Sequence, residues 1–133
     1  MLNDVNAEVD TRIINGTTAH NDHYPYMVSL RIFGTFHLCG GSIVSRRWVL
    51  TSALCLSLTT NLLVVVGTKS LSSGGVIYQI NDIIRHPLFN YTTMTYDAGL
   101  VKTTKNIQYS TNVLPTYLAH ILPAVGTVGA LTG

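Results

Sequence analysis

The 133-residue chain has room for one domain, or for one lobe of a larger one. With 47% hydrophobic and 11% charged residues it suits a buried core and argues against disorder. Its formal charge of +2 implies neither nucleic acid nor membrane as a partner, and its longest aliphatic run, Leu62 to Val66, is too short to cross a bilayer.

Residues 1–12 are polar and carry three of the six acids, Asp4, Glu8 and Asp10, ahead of Arg12. They hold no apolar stretch of the kind a secretory signal needs, and they read as a flexible leader. Without them, seven basic residues would face three acids, a modest cationic surface at +4. From Ile13 onward short apolar runs alternate with Gly, Asn, Ser, Thr and Pro, which predicts strands and turns. The candidate strands are Met27–Phe33, Phe36–Val44, Trp48–Ser52, Leu62–Gly67, Val76–Ile84, Ala98–Lys102, Leu114–Leu118 and Thr127–Leu131. In the first of them Val28, Leu30 and Ile32 share one face with Tyr26, and Met27, Ser29 and Arg31 share the other. Gly34–Thr35 is read as a hairpin turn, Ser45–Arg46–Arg47 as a polar connection and Ser72–Ser73–Gly74–Gly75 as a turn. Ser52–Leu58 is read as one short helical turn, and no long amphipathic helix is predicted. Strands and turns at this spacing point to an all-β barrel or sandwich.

Cys39 and Cys55 are the only cysteines, and composition leaves open whether they form one bridge or two thiols. His20-Asn21-Asp22-His23 has a loose metal-like spacing but reads as a solvated loop, so no metal and no cofactor are expected. Two N-glycosylation sequons occur, at Asn15 and Asn90. The second falls in an expected surface loop.

Five segments narrow the reading. They are Arg12-Ile13-Ile14-Asn15-Gly16, Tyr24-Pro25-Tyr26-Met27-Val28-Ser29-Leu30, His37-Leu38-Cys39-Gly40-Gly41-Ser42-Ile43-Val44, Trp48-Val49-Leu50-Thr51-Ser52-Ala53-Leu54-Cys55, and Arg85-His86-Pro87 with Tyr96-Asp97-Ala98-Gly99-Leu100-Val101. In order and spacing they resemble the N-terminal half of trypsin-like (chymotrypsin-fold) serine proteases. The resemblance covers about residues 12–131. It implies an all-β fold, a single six-stranded antiparallel Greek-key barrel equivalent to the first barrel of such a protease. Residues 1–12 then resemble a short activation peptide, and 13–131 form the first barrel, with the second absent. Cleavage between Arg12 and Ile13 by a trypsin-like enzyme is expected, as are a Cys39–Cys55 disulfide and a secreted, extracellular location.

The family cuts peptides with a serine whose proton is taken by a histidine, which an aspartate orients. The resemblance puts Asp97 at the aspartate position and Leu54 at the histidine position. Leucine has no lone pair and no titratable proton, so it cannot act as base or acid. His37 and His86 match positions without a catalytic role, and His20, His23 and His120 offer no substitute. No Gly-Asp-Ser-Gly-Gly segment occurs, and Ser73-Gly74-Gly75 lacks the preceding Gly-Asp. The expectation is a truncated, catalytically inactive homologue that acts, if at all, on a protein or peptide partner. The alternatives are an incompletely recorded active secreted endopeptidase and a non-functional fragment of a gene model. One barrel of the pair is expected to expose an apolar face, and Asp97 is expected to sit partly buried without a partner, leaving the chain marginally stable.

Overall fold

The computed structural model describes residues 24–70, 74–117 and 126. Alternating apolar residues build β1 (Met27–Ile32), which turns at Phe33–Thr35 into β2 (Phe36–Ser45) and again at Arg46–Arg47 into β3 (Trp48–Thr51). A short helix α1 (Ala53–Leu58) follows, then β4 (Leu62–Val66), β5 (Val76–Tyr78), β6 (Ile80–Arg85) and β7 (Gly99–Thr103). All pairings are antiparallel, in the order β5-β4-β1-β2-β3-β7-β6. The first four strands lie as β4-β1-β2-β3, a Greek key in which the fourth returns beside the first.

The expected strand Val76–Ile84 is present as two, because Gln79 leaves the ladder between β5 and β6. Its carbonyl accepts from the Thr104 N–H at 2.9 Å. The two ends of the sheet are thus joined through one residue, and the sheet curls round on itself. Seven segments therefore stand where six strands were expected, within the same barrel-like antiparallel architecture. Two irregularities in the pairings of β2 add to the curl, since an extra residue bends and twists its strand.

Two other expectations are corrected. Residues 114–117 form no strand. Pro115 has no N–H to give a ladder, and the Leu114 and Thr116 N–H groups bond singly to the Pro25 and Ile43 carbonyls. The strand expected from Ala98 begins at Gly99, because the Ala98 N–H turns back to the Tyr96 carbonyl at 2.8 Å. Arg12, Ile13, Asn15, His20, His23, His120 and the expected strand 127–131 lie outside the described residues, as do Ser72 and Ser73 of one expected turn.

Val28 and Leu30 of β1 join Ile43, Val49, Val64, Val66 and Val101 in the core, all essentially without exposure. On the other face of β1, Ser29 and Arg31 are also buried. Arg31 donates through Nε to Ser29 Oγ at 3.0 Å and through Nη2 to the Ser70 carbonyl, and Ser29 Oγ lies 2.7 Å from His37 Nδ1. Burial pushes the pKa of the Arg31 guanidinium down.

Gly41 of β2 is required by close approach. A Cβ there would come within 2.8 Å of Val49 Cγ1 and 2.9 Å of the Leu50 carbonyl. Gly41→Ala is therefore expected to destabilise the fold by about 1–3 kcal/mol through overpacking, read as a lower urea midpoint with the slope unchanged.

Candidate functional site

The site is assembled where β3 runs into α1. Ser52 has extended backbone angles (φ −87°, ψ 139°), and its Oγ accepts from the Cys55 N–H at 3.4 Å, so it caps the helix. The run Ala53-Leu54-Cys55-Leu56-Ser57-Leu58 has no β-branched residue, and the helix stops where Thr59 returns to extended geometry. Leu56 is fully buried and docks the helix on the core. Arg85 of β6 covers the far end, bonding the Leu56 carbonyl and donating to Ser57 Oγ at 3.1 Å. The Cys39–Cys55 disulfide ties α1 to β2.

Asp97 meets this helix from the loop two residues before β7. Its Oδ1 accepts from the Leu54 N–H at 2.9 Å and from the Ser52 hydroxyl at 2.8 Å. The carboxylate is exposed rather than partly buried, and it has two donors. The expectation of a partly buried acid without a partner is corrected on both counts: the acid is exposed in the loop, and the start of α1 supplies the hydrogen bonds. Leu54 brings its backbone to Asp97, and its half-buried side chain offers no polar atom.

The bonds from the Leu54 N–H, then from Ser52 Oγ, hold the Asp97 carboxyl below its usual pKa, with the Ala53 N–H assisting and desolvation opposing. A carboxyl held down in the folded state contributes stability above its unfolded pKa of about 3.9, and that contribution is lost as pH falls through the lower folded value. Thermal melts from about pH 5 to pH 2 should therefore show a steeper loss for the natural chain than for Asp97→Asn. Equal slopes would contradict this.

His86 stacks on Tyr96, the neighbour of Asp97, with ring centroids 4.8 Å apart, and its Nδ1 accepts from the Leu88 N–H at 3.0 Å. His37 lies on β2, bonded to Ser29. Neither is brought to Asp97 by a described hydrogen bond. Sequence reasoning missed Ser52 as a partner of Asp97 and Arg85 as the far cap of α1. A serine directly before an Ala-Leu-Cys-Leu run carries a capping signal that could have pointed to Ser52. Nothing local points to Arg85. No group of three or more His, Cys, Asp or Glu side chains suited to a metal occurs among the described residues.

The geometry is thus a helix start and an exposed acid, joined across a Greek-key sheet. A family model described as Trypsin matches residues 13–133. The chain belongs to the trypsin family. Relatives of this trypsin-family chain include Trypsin 5G1 of Aedes aegypti, 35% identical over 108 residues that cover 80% of this chain and 41% of that protein. Trypsin of Simulium vittatum is 33% identical over 91% of this chain and 51% of its own length. Trypsin alpha of Drosophila melanogaster is 32% identical over 95% of this chain and 50% of its own. The chain spans about half the length of the curated relatives it matches.

Proposed function

We propose that this chain is a trypsin-family protease homologue without proteolytic activity, which works by binding a protein or peptide partner. The observation that carries the reading is Leu54. It stands where the family resemblance puts the general base, with its N–H bonded to Asp97, and it cannot take a proton. Asp97 then keeps the aspartate position of the triad, and among the described residues no imidazole is hydrogen-bonded to it. Nor does Asp97 replace the base, since hydrogen bonds that lower its pKa make it a weaker proton acceptor. Ser52 is its donor and the helix cap, so its hydroxyl is already committed.

Secretion is part of the same reading. It is supported by family membership and by the Cys39–Cys55 bridge, which persists in an oxidising compartment. Cleavage by a trypsin-like enzyme after Arg12, freeing Ile13, belongs to it as well.

The 133-residue chain is expected to release no product from trypsin or chymotrypsin peptide substrates, and to take no label from a serine-directed phosphonate. Leu54→His is expected to remain inactive, because the sequence holds no Gly-Asp-Ser-Gly-Gly segment to supply the nucleophile. Turnover by either protein, or stoichiometric labelling, would overturn the reading. A second reading, an active secreted endopeptidase of which this sequence is one part, is favoured by the coverage of about half of each relative. Reading the transcript through codon 54 separates the two. Leucine sustains the first; histidine followed downstream by a Gly-Asp-Ser-Gly-Gly segment establishes the second.

A further inference from the structure

From the loop that leads into Asp97, we infer that Asn90 carries an N-linked glycan whose first sugars shield the exposed apolar side chains of that loop. The inference rests on the secretory part of the proposed function. Asn90-Tyr91-Thr92 satisfies the acceptor pattern, in which a hydroxyl residue stands two places after the asparagine and the residue between is not proline. Asn90, Tyr91 and Thr92 are all exposed.

The hydrogen bonds of Asn90 leave the reacting atom available. Its N–H donates to the Thr95 carbonyl at 3.1 Å, and its carbonyl accepts from the Met94 N–H at 2.7 Å. Its side-chain Oδ1 accepts from the Thr92 N–H at 2.9 Å and the Thr93 N–H at 3.2 Å. Nδ2 makes no hydrogen bond among the described residues. A glycan is attached at Nδ2, so every described bond of Asn90 survives modification, and Oδ1 stays fixed by the turn. The chemistry is a transfer from a lipid-linked oligosaccharide diphosphate. Nδ2 forms a bond to the anomeric carbon, the bond from that carbon to the diphosphate oxygen breaks, the lipid diphosphate leaves, and the amide gives up one proton to the transferase.

The surroundings supply the reason for a cover. Leu88, Tyr91, Met94 and Tyr96 are all large and exposed, within nine residues of one loop. No charged residue separates them, for Asp97 comes only after the last. Exposed apolar side chains gathered in one loop favour association, and a hydrated glycan rooted at Asn90 keeps other surfaces away from them.

Translation of the full chain behind a supplied signal sequence, in the presence of microsomes, tests the site without relying on natural secretion. The protease-protected product is expected to show one upward mobility shift, removed by peptide-N-glycosidase. That shift should persist in Asn15→Gln and Thr92→Ser, and disappear in Asn90→Gln and Thr92→Ala. A protected product without the shift, or a shift that survives Asn90→Gln, would overturn the assignment. The natural gene product's appearance in culture medium reads secretion separately, so the two failures are distinguishable. For the covering role, the secreted glycosylated chain should stay dispersed at concentrations where Asn90→Gln associates, and a Tyr91→Ser/Tyr96→Ser change in the Asn90→Gln background should restore dispersion. Association that does not depend on the glycan would overturn that half.

Discussion

Replacing Leu56 by alanine is expected to destabilise the chain by about 2–5 kcal/mol, the range for removing most of a fully buried leucine. Leu56 is the one α1 side chain of that size in the core, and helix α1 has only six residues. So short a helix has no stability of its own and persists because it is docked. The loss should therefore reach the site as well as the core. The bonds from the Leu54 N–H and Ser52 Oγ to Asp97 depend on where the helix starts, and the pH dependence ascribed to Asp97 should flatten in the same variant. Urea denaturation gives the first effect and melts at acid pH the second. A companion substitution checks the packing argument. A Cβ on Gly99 would lie 2.5 Å from Leu56 Cδ1, so Gly99→Ala should be costly in the natural chain and less so beside Leu56→Ala. The coupling in that double-mutant cycle should be about 0.5–3 kcal/mol. Beside Leu56→Ala the cost of Gly99→Ala should shrink but not vanish, because the Ile84 carbonyl would still stand 3.1 Å from the new methyl group.

Removing the Cys39–Cys55 bridge, as Cys39→Ala/Cys55→Ala, is expected to lower stability by about 3 kcal/mol. The bridged residues are 16 apart in sequence, and closing a loop of about that length restricts the unfolded chain by this much. Small domains hold roughly 5–15 kcal/mol in all, so the loss is a large share of what keeps the chain folded. Reduction with a thiol should give the same shift in the urea midpoint as the double alanine variant. A midpoint unchanged by either would mean that Leu56, Arg85 and Asp97 hold α1 without help from the bridge.

How much of this was legible in the sequence depends on the separation of the groups involved. The turns at Gly34–Thr35 and Arg46–Arg47, and the strands β1, β2, β3 and β4 to within one or two residues, follow from alternation and from turn residues a few places apart. The break at Gln79 did not follow, because Val76–Ile84 is apolar enough for one strand and the interruption is set by which partner each half finds. Val76–Tyr78 pairs with β4, and Ile80–Arg85 with β7. The strand expected near Leu114 failed for a reason visible in the sequence, since Pro115 interrupts its donors.

The sequence by itself determined that the chain is β-rich, that its motifs follow the trypsin pattern, and that position 54 holds a side chain with no proton to exchange. These are properties of single residues and short spacings, and no folding alters the chemistry of a leucine. Only the tertiary structure decided what Asp97 does in that setting. Its donor Ser52 lies 45 residues away and the Leu54 N–H 43 residues away, and neither distance carries a local signal. Pairing of β3 with β7 brings the two segments side by side, Thr51 opposite Gly99. Once they are there, a carboxylate close to free N–H groups at the start of a helix takes the hydrogen bonds on offer. The acid expected to be left orphaned is held by the start of α1 because closure of the sheet puts that helix within reach.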